Sequence, residues 1–282
     1  MTDAIDLDAY FARIGYDGPR EPTLPVLQAL HRLHPRAIPF ENLDVLLGRR
    51  VRLDLASVQA KLVAGRRGGY CFEHNNLFSA VLKAMGFAVT DLAARVLWGR
   101  PEGAAAARTH RLLRVETPDG PYQADVGFGG ITQTAPLPFH AGAELDTGSG
   151  AFRLAPAPGG DGNEWRLEFR LPAGWAPVYQ LAHTPHHPID YELSNWFVST
   201  HPDSPFVSNL MAAWVAEDGR YALMNNALSV YPDAGGVERR ELSARELEAL
   251  MHDTFGVARP VDADALSALY DRLAEKGNVE RR

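Results

Sequence analysis

Cys71, the one cysteine of this chain, stands in the run Arg66-Arg67-Gly68-Gly69-Tyr70-Cys71-Phe72-Glu73-His74-Asn75. The two glycines allow an adaptable turn. The spacing of Phe78, Val81, Leu82 and Met85 then predicts a helix that follows the cysteine and stops at Gly86. A thiol at a helix N-terminus sits beside unpaired N–H groups and the positive end of the helix dipole, both of which favour thiolate. The same N–H groups can hold a developing oxyanion. Two readings stand side by side: an activated nucleophile, or a small buried hydrophobe.

A nucleophilic cysteine needs a base, and the base needs an orienting group. Residues 109–116, the turn Thr117-Pro118-Asp119-Gly120 and residues 121–126 read as a hairpin. A turn of two or four residues centred on Pro118-Asp119 sets His110 opposite Gly127, with Asp125 its diagonal neighbour on the same face. A three-residue turn would put them on opposite faces. His110 also reads as a structural strand histidine. Asp125-Val126-Gly127-Phe128-Gly129-Gly130 follows at once. Such a loop lets a ligand approach the backbone, or simply closes a strand with a tight turn. It is neither a Walker motif nor a Gly-x-Gly-x-x-Gly fingerprint. His183-Thr184-Pro185-His186-His187-Pro188 holds two prolines and no helical His-x-x-x-His spacing, so it reads as a solvated loop, and no metal site is expected.

The elements that position these residues change character along the chain. Residues 1–88 read mostly as helix. A first helix runs through Tyr10, Phe11 and Ile14, capped by Asp6 or Asp8 and stopped by Gly15. A second opens at Thr23-Leu24-Pro25, and a third covers residues 55–64. From about 88 to 200 the pattern is strand-like, including alternation over residues 165–171, with a loop at 155–163. Beyond 200, residues 221–224 and 228–231 read as strands. Residues 243–255 read as a helix capped by Ser243 with Glu246 three residues on, and residues 276–282 as a frayed charged tail. No internal repeat is evident.

The net charge of −7 argues against a general nucleic-acid-binding surface. One cysteine excludes an intramolecular disulfide and is compatible with a reducing compartment. The acidic start Met1-Thr2-Asp3 is unlike a secretory leader. The most apolar stretch, residues 77–99, is broken by Lys83, Asp91 and Arg95, short of the ~18 apolar residues of a membrane span. A cytoplasmic protein is the expectation.

The chain resembles the arylamine N-acetyltransferases of bacterial type over nearly its whole length. The resemblance is carried by residues 10–16 (YFARIGY), 39–44 (PFENLD), the 67–73 signature (RGGYCFE), Thr109-His110, residues 125–130 (DVGFGG) and 196–202 (WFVSTHP) with Phe206. It implies an α+β fold with a papain-like cysteine-protease-type core: a helical bundle over 1–88 carrying the nucleophile, a β-barrel over 89–200 carrying His and Asp, and an α/β lid over 201–282. No insertion of the vertebrate kind separates barrel and lid. It implies Cys71 as acyl-accepting nucleophile, His110 as base and Asp125 as orienter, moving acetyl from acetyl-CoA to an arylamine, arylhydrazine or N-hydroxyarylamine without a metal. It places coenzyme A contacts at Thr109, Gly127, Phe128, Gly129, His201 and Phe206, and an acceptor pocket at Phe40, Val96, Trp98 and Phe128. No nucleic-acid or membrane partner is implied, and a homo-oligomer stays open. Two other readings use the same residues: a papain- or transglutaminase-like amide hydrolase, and a non-catalytic protein binding coenzyme A or an aromatic ligand.

Overall fold

The structure is a computed structural model that describes residues 4–148, 150–159, 162–259 and 263–279. The N-terminal helices start where side chains can satisfy their free amides. Asp6 accepts from the Ala9 N–H at 2.9 Å and opens α1 (Leu7–Ile14), and Gly15, at φ 70°, ends it. α2 (Leu24–Ala37) opens with Pro25 in its first turn. A two-residue strand, β1 (Phe40–Glu41), and a single turn, α3 (Leu43–Leu46), follow. α4 (Leu55–Gln59) widens into a π-type turn over Ala60–Ala64, and α5 (Cys71–Ala84) begins at the cysteine itself. Apolar faces of α1, α2 and α5 close on one another and on Leu113, Val115, Ala124 and Val126 of the neighbouring sheet.

That sheet has eight antiparallel strands. They are β2 (Ala88–Val96), β3 (Arg108–Thr117), β4 (Gly120–Ala124), β5 (Leu137–Pro138), β6 (Glu144–Asp146), β7 (Ala151–Pro156), β8 (Glu164–Leu171) and β9 (Gly174–Ala182). Their spatial order is β5-β4-β3-β2-β9-β8-β7-β6, and the two outer strands approach each other, so the sheet is a nearly closed barrel. Leu92, Leu112, Phe152, Leu154, Leu167 and Tyr179 fill it. The strand pattern ends at Ala182. Residues 188–200 form α6 (Pro188–Thr200), where a strand-like pattern was expected, because Pro188 in the first turn and Asp190 bonded to the His187 N–H at 2.9 Å start a helix.

After the turn α7 (Pro205–Ser208) come β10 (Met211–Val215), β11 (Gly219–Met224), β12 (Ala227–Pro232) and β13 (Glu238–Glu241). They form a second antiparallel sheet whose outer strand is β1, paired to β10. α8 (Ala244–Ala249), with a π-type turn to Thr254, and α9 (Ala263–Val279) pack on it through Leu247, Met251, Leu266, Leu269 and Tyr270. The expected fraying from residue 276 is not seen up to Val279, whose backbone is still helical; residues 280–282 of that tail, residues 160 and 161 of the expected loop and the acidic start at residues 1–3 lie outside the described residues. Among the described residues no helix is long and apolar enough to cross a membrane.

Candidate active site

The β3–β4 hairpin turns on Pro118-Asp119, with Thr117 opposite Gly120 and Leu113 opposite Ala124. This is the two-residue turn the arithmetic needs, but the ladder does not extend to the expected pairing of His110 with Gly127. The ladder itself stops at Ala124, so His110 pairs with Ala94 on β2 while residues 125–127 leave β4 and run against α5. On the β2 side, Ala94 pairs with His110 and Arg95 with Arg108, which makes Thr109 an extra residue in β3. A bulge of this kind re-aims the neighbouring side chains. The Thr109 carbonyl accepts from the Cys71 Sγ at 3.6 Å.

His110 Nε2 lies 2.6 Å from Asp125 Oδ2, and both side chains are buried. That bond leaves Nδ1 as the ring nitrogen available to Cys71. Burial pushes the imidazole toward neutrality, but the Asp125 carboxylate and the adjoining Cys71 sulfur outweigh it and raise His110 to about 10. Burial also works against ionisation of Asp125, yet His110, the Asn75 amide and the Gly127 N–H hold its carboxyl below the usual range. Asn75 Nδ2 donates to Asp125 Oδ1 at 3.0 Å. It sits one helical turn beyond Cys71, so α5 carries both the thiol and a brace for the acid.

The loop before Cys71 is clamped by buried charges. Arg67 bonds Glu41 at 2.7 and 3.0 Å and reaches Asp44 at 3.3 Å, while Lys61 bonds Asp44 and Glu73 at 2.8 Å. The second Glu73 oxygen accepts the Tyr70 N–H at 3.0 Å, which fixes the first turn of α5. Deeper still, His74 Nε2 faces the carbonyls of Gly69 at 3.0 Å and Pro39 at 3.2 Å and therefore carries a proton. Its Nδ1 then accepts from His34 Nε2 at 2.9 Å, and His34 Nδ1 accepts from the Tyr10 hydroxyl at 2.8 Å. Burial lowers His74 to about 4 and drives His34 well below the ordinary histidine value.

Several of the other expected site residues gather here. A Cβ at Gly127 would lie 2.8 Å from the His74 Cβ and 3.1 Å from the Cys71 Cα, so only glycine allows this approach to Cys71. Gly129, at φ 92°, runs beside the Phe40 ring, which stacks on His74. Phe128 packs edge-on to His110 with ring centres 5.1 Å apart. Phe206 meets Phe40 and Tyr70. Val96 pairs with Tyr179 at the end of β2. The Trp98 ring meets Phe169 edge-on, and His201, at the end of α6, stacks on Phe197, which packs, like Phe40 and Phe206, on the cluster that holds Cys71. Among the described residues no cluster of three or more His, Cys, Asp or Glu could hold a metal ion.

Sequence reasoning did not pick out Asn75, His31, His34, His74 or Tyr179. Asn75 and His74 carried a legible signal, because polar residues at the buried head of an apolar helix need partners. Tyr179 did not: it reaches His110 and the Gln123 amide from a strand far along the chain.

A sequence model described as N-acetyltransferase matches residues 23–263. The arylamine N-acetyltransferase of Mycolicibacterium smegmatis is 42% identical over 260 residues, covering 90% of this chain and 92% of that protein. That of Escherichia coli is 39% identical over 270 residues, covering 95% and 94%. Among solved structures, Mycobacterium marinum arylamine N-acetyltransferase in complex with CoA superposes with a TM-score of 0.89 at 40% identity, covering 95% of this chain and 99% of that one. With that much of its length and fold shared, the chain belongs to the arylamine N-acetyltransferase family.

Proposed function

We propose that this protein is an arylamine N-acetyltransferase that works by a ping-pong route through an acetyl-cysteine at Cys71. The observation that carries the proposal is a cysteine on the first residue of a helix, next to an imidazole bonded to a buried carboxylate at 2.6 Å. The substrates follow from the relatives: their names specify arylamines, and the Mycobacterium marinum structure holds CoA. In this division of labour residues 1–88 supply the nucleophile, 89–200 the base and acid, and 201–282 a lid.

Cys71 thiolate attacks the thioester carbonyl of acetyl-CoA. The oxyanion is held by N–H groups at the head of α5, an interaction worth ~3–4 kcal/mol of barrier. The carbon–sulfur bond to coenzyme A breaks, the His110 proton goes to the departing sulfur, and acetyl-Cys71 remains with a neutral imidazole. The arylamine nitrogen then attacks the new thioester and gives its proton to His110. The Cys71–carbonyl bond breaks, N-acetylarylamine leaves, and the imidazolium–thiolate pair is restored. Asp125 stabilises the imidazolium and fixes which nitrogen faces the sulfur. The Gly127-Phe128-Gly129 loop and Phe206 contact coenzyme A, with Thr109 beside them and His201 farther out. Phe40 and Phe128 line an acceptor pocket that admits flat, weakly basic amines, with Val96 and Trp98 toward its outer end.

Intact-mass measurement after mixing with acetyl-CoA tests the covalent step. A gain of about 42 Da, one acetyl group, mapped to Cys71 and discharged by an arylamine is the expected result. Steady-state transfer by Cys71→Ala would refute it.

A further inference from the structure

Asp125 is held from two sides. Its carboxylate goes to His110 and Asn75, while its main-chain N–H goes to His31 Nε2 at 3.1 Å. His31 lies on α2, fully buried, with the Phe78 ring of α5 edge-on to it at 5.9 Å and His34 one turn further along α2. The bond occurs where the β3–β4 ladder has ended and Asp125 has no strand partner. The next two amides are also taken by side chains: Val126 N–H by Asn75 Oδ1 at 3.2 Å and Gly127 N–H by Asp125 Oδ1 at 3.1 Å. Three successive main-chain donors thus replace a β-ladder with side-chain acceptors.

A main-chain N–H can only donate, so Nε2 of His31 must present a lone pair and the ring proton must sit on Nδ1. Among the described residues that Nδ1 has no well-formed hydrogen bond, only its own main chain lying near. A buried donor left this way costs stability that leucine or phenylalanine at the same place would not. The histidine therefore does something packing does not require. Burial lowers His31 to about 4, against the pull of the Asp125 carboxylate, so the lone pair persists through neutral pH.

We propose that His31 is a positioning residue for acetyl transfer: its Nε2 lone pair fixes the main chain of Asp125 and, through it, the aim of the carboxylate at His110. The proposal rests on the triad reading given above. Misplacing a catalytic group by about 1 Å can cost 10²-fold in rate, and that is the scale at stake.

Two measurements test it. Long-range proton–nitrogen correlation on histidine-labelled protein at pH 7 reads the tautomer directly; the expected result is a proton on Nδ1 of His31. A proton on Nε2 overturns the proposal whatever the enzyme does. Single-turnover acetylation is then compared in His31→Leu and His31→Gln, the second of which offers a carbonyl oxygen to the same N–H. Leucine is expected to slow acetylation about 10- to 100-fold with the apparent KM for acetyl-CoA unchanged, and glutamine to recover most of the loss. A folded leucine variant with wild-type rate, or glutamine no better than leucine, overturns the proposal. Cys71→Ala run in parallel must be inert. Turnover by that variant would sink the triad reading and leave the tautomer result standing.

Discussion

Replacing Asp125 by asparagine isolates what the carboxylate does for His110. In the wild type, burial disfavours imidazolium, yet the carboxylate 2.6 Å away and the nearby sulfur raise the histidine to about 10. Against an ordinary 6.5, that rise is a strong preference for the charged ring. Asparagine keeps the shape and removes the charge. Burial, the largest single influence, then acts without the opposing carboxylate charge, and His110 should become neutral at pH 7. The imidazolium–thiolate pair is then no longer formed in advance, and acetylation should fall by several orders of magnitude, as the equivalent change does in a serine triad (~10⁴-fold). The assay is a proton-NMR titration of the His110 ring in both proteins, paired with single-turnover acetylation. The wild-type ring should stay charged to beyond pH 9. A wild-type ring titrating near 6.5, or a variant ring that titrates as high as wild type, refutes the electrostatic account. The linked stability has a definite sign. A histidine raised on folding stabilises fully below about 6.5, and that contribution fades as pH rises through about 10. The stability gap between the two proteins should therefore narrow in alkali.

The opposite linkage holds for the buried neutral histidines. His31 and His74 are each lowered to about 4, so the unfolded chain binds protons first as pH falls. Stability should be complete above about 6.5 and decline toward pH 4 by about 3 kcal/mol per histidine, read as a falling urea midpoint; a flat profile between pH 6.5 and 4.5 would contradict their neutral burial. Gly127→Ala should push its new methyl into Cys71 and His74 and cut acetylation at least tenfold while the rest of the fold survives, checked by single-turnover rate alongside circular dichroism; an unimpaired variant would show that the close approach is not needed. Gly129→Val should weaken acetyl-CoA use, since that residue sits at φ 92° beside Phe40; an unchanged apparent KM in a folded variant would remove Gly129 from the coenzyme A contacts.

What the sequence disclosed and what it withheld divide along the range of the forces involved. Local signals were enough for α1, whose Asp6 cap and Gly15 stop lie within a few residues of its ends, and for the hairpin, whose turn fixes the register. They left the face shared by His110 and Asp125 conditional on the turn length, and the two meet through a 2.6 Å bond just beyond the end of the β4 ladder. They were not enough for β1, two residues made a strand by pairing with β10 from far along the chain and by a bridge to Gly69. α6 was hidden for another reason: its buried Tyr191, Asn195 and Val198 do fall at helical spacing, but Ile189, Leu193 and Trp196 put exposed apolar side chains on its other face and blur the stripe. Trp98 was named by resemblance alone, and its ring contact with Phe169 joins residues too far apart in sequence for local signals to pair. His201 was likewise named by resemblance alone, and its ring stacks on Phe197.

The same distinction explains how the active centre is built. Cys71, His110 and Asp125 are each set by a local device: a helix start, a bulge at Thr109 and the end of a strand ladder. Such devices leave main-chain groups unpaired, because each is an interruption of regular structure. In the interior those groups must find partners, and here the partners are side chains: Glu73 for Tyr70 N–H, His31 for Asp125 N–H, Asn75 for Val126 N–H. Each comes from a helix of the N-terminal bundle, whereas His110 and Asp125 come from the barrel. The polar residues buried between bundle and barrel are thus a consequence of where Cys71, His110 and Asp125 are placed. A substitution in them should disturb the geometry of the reaction before it disturbs the fold.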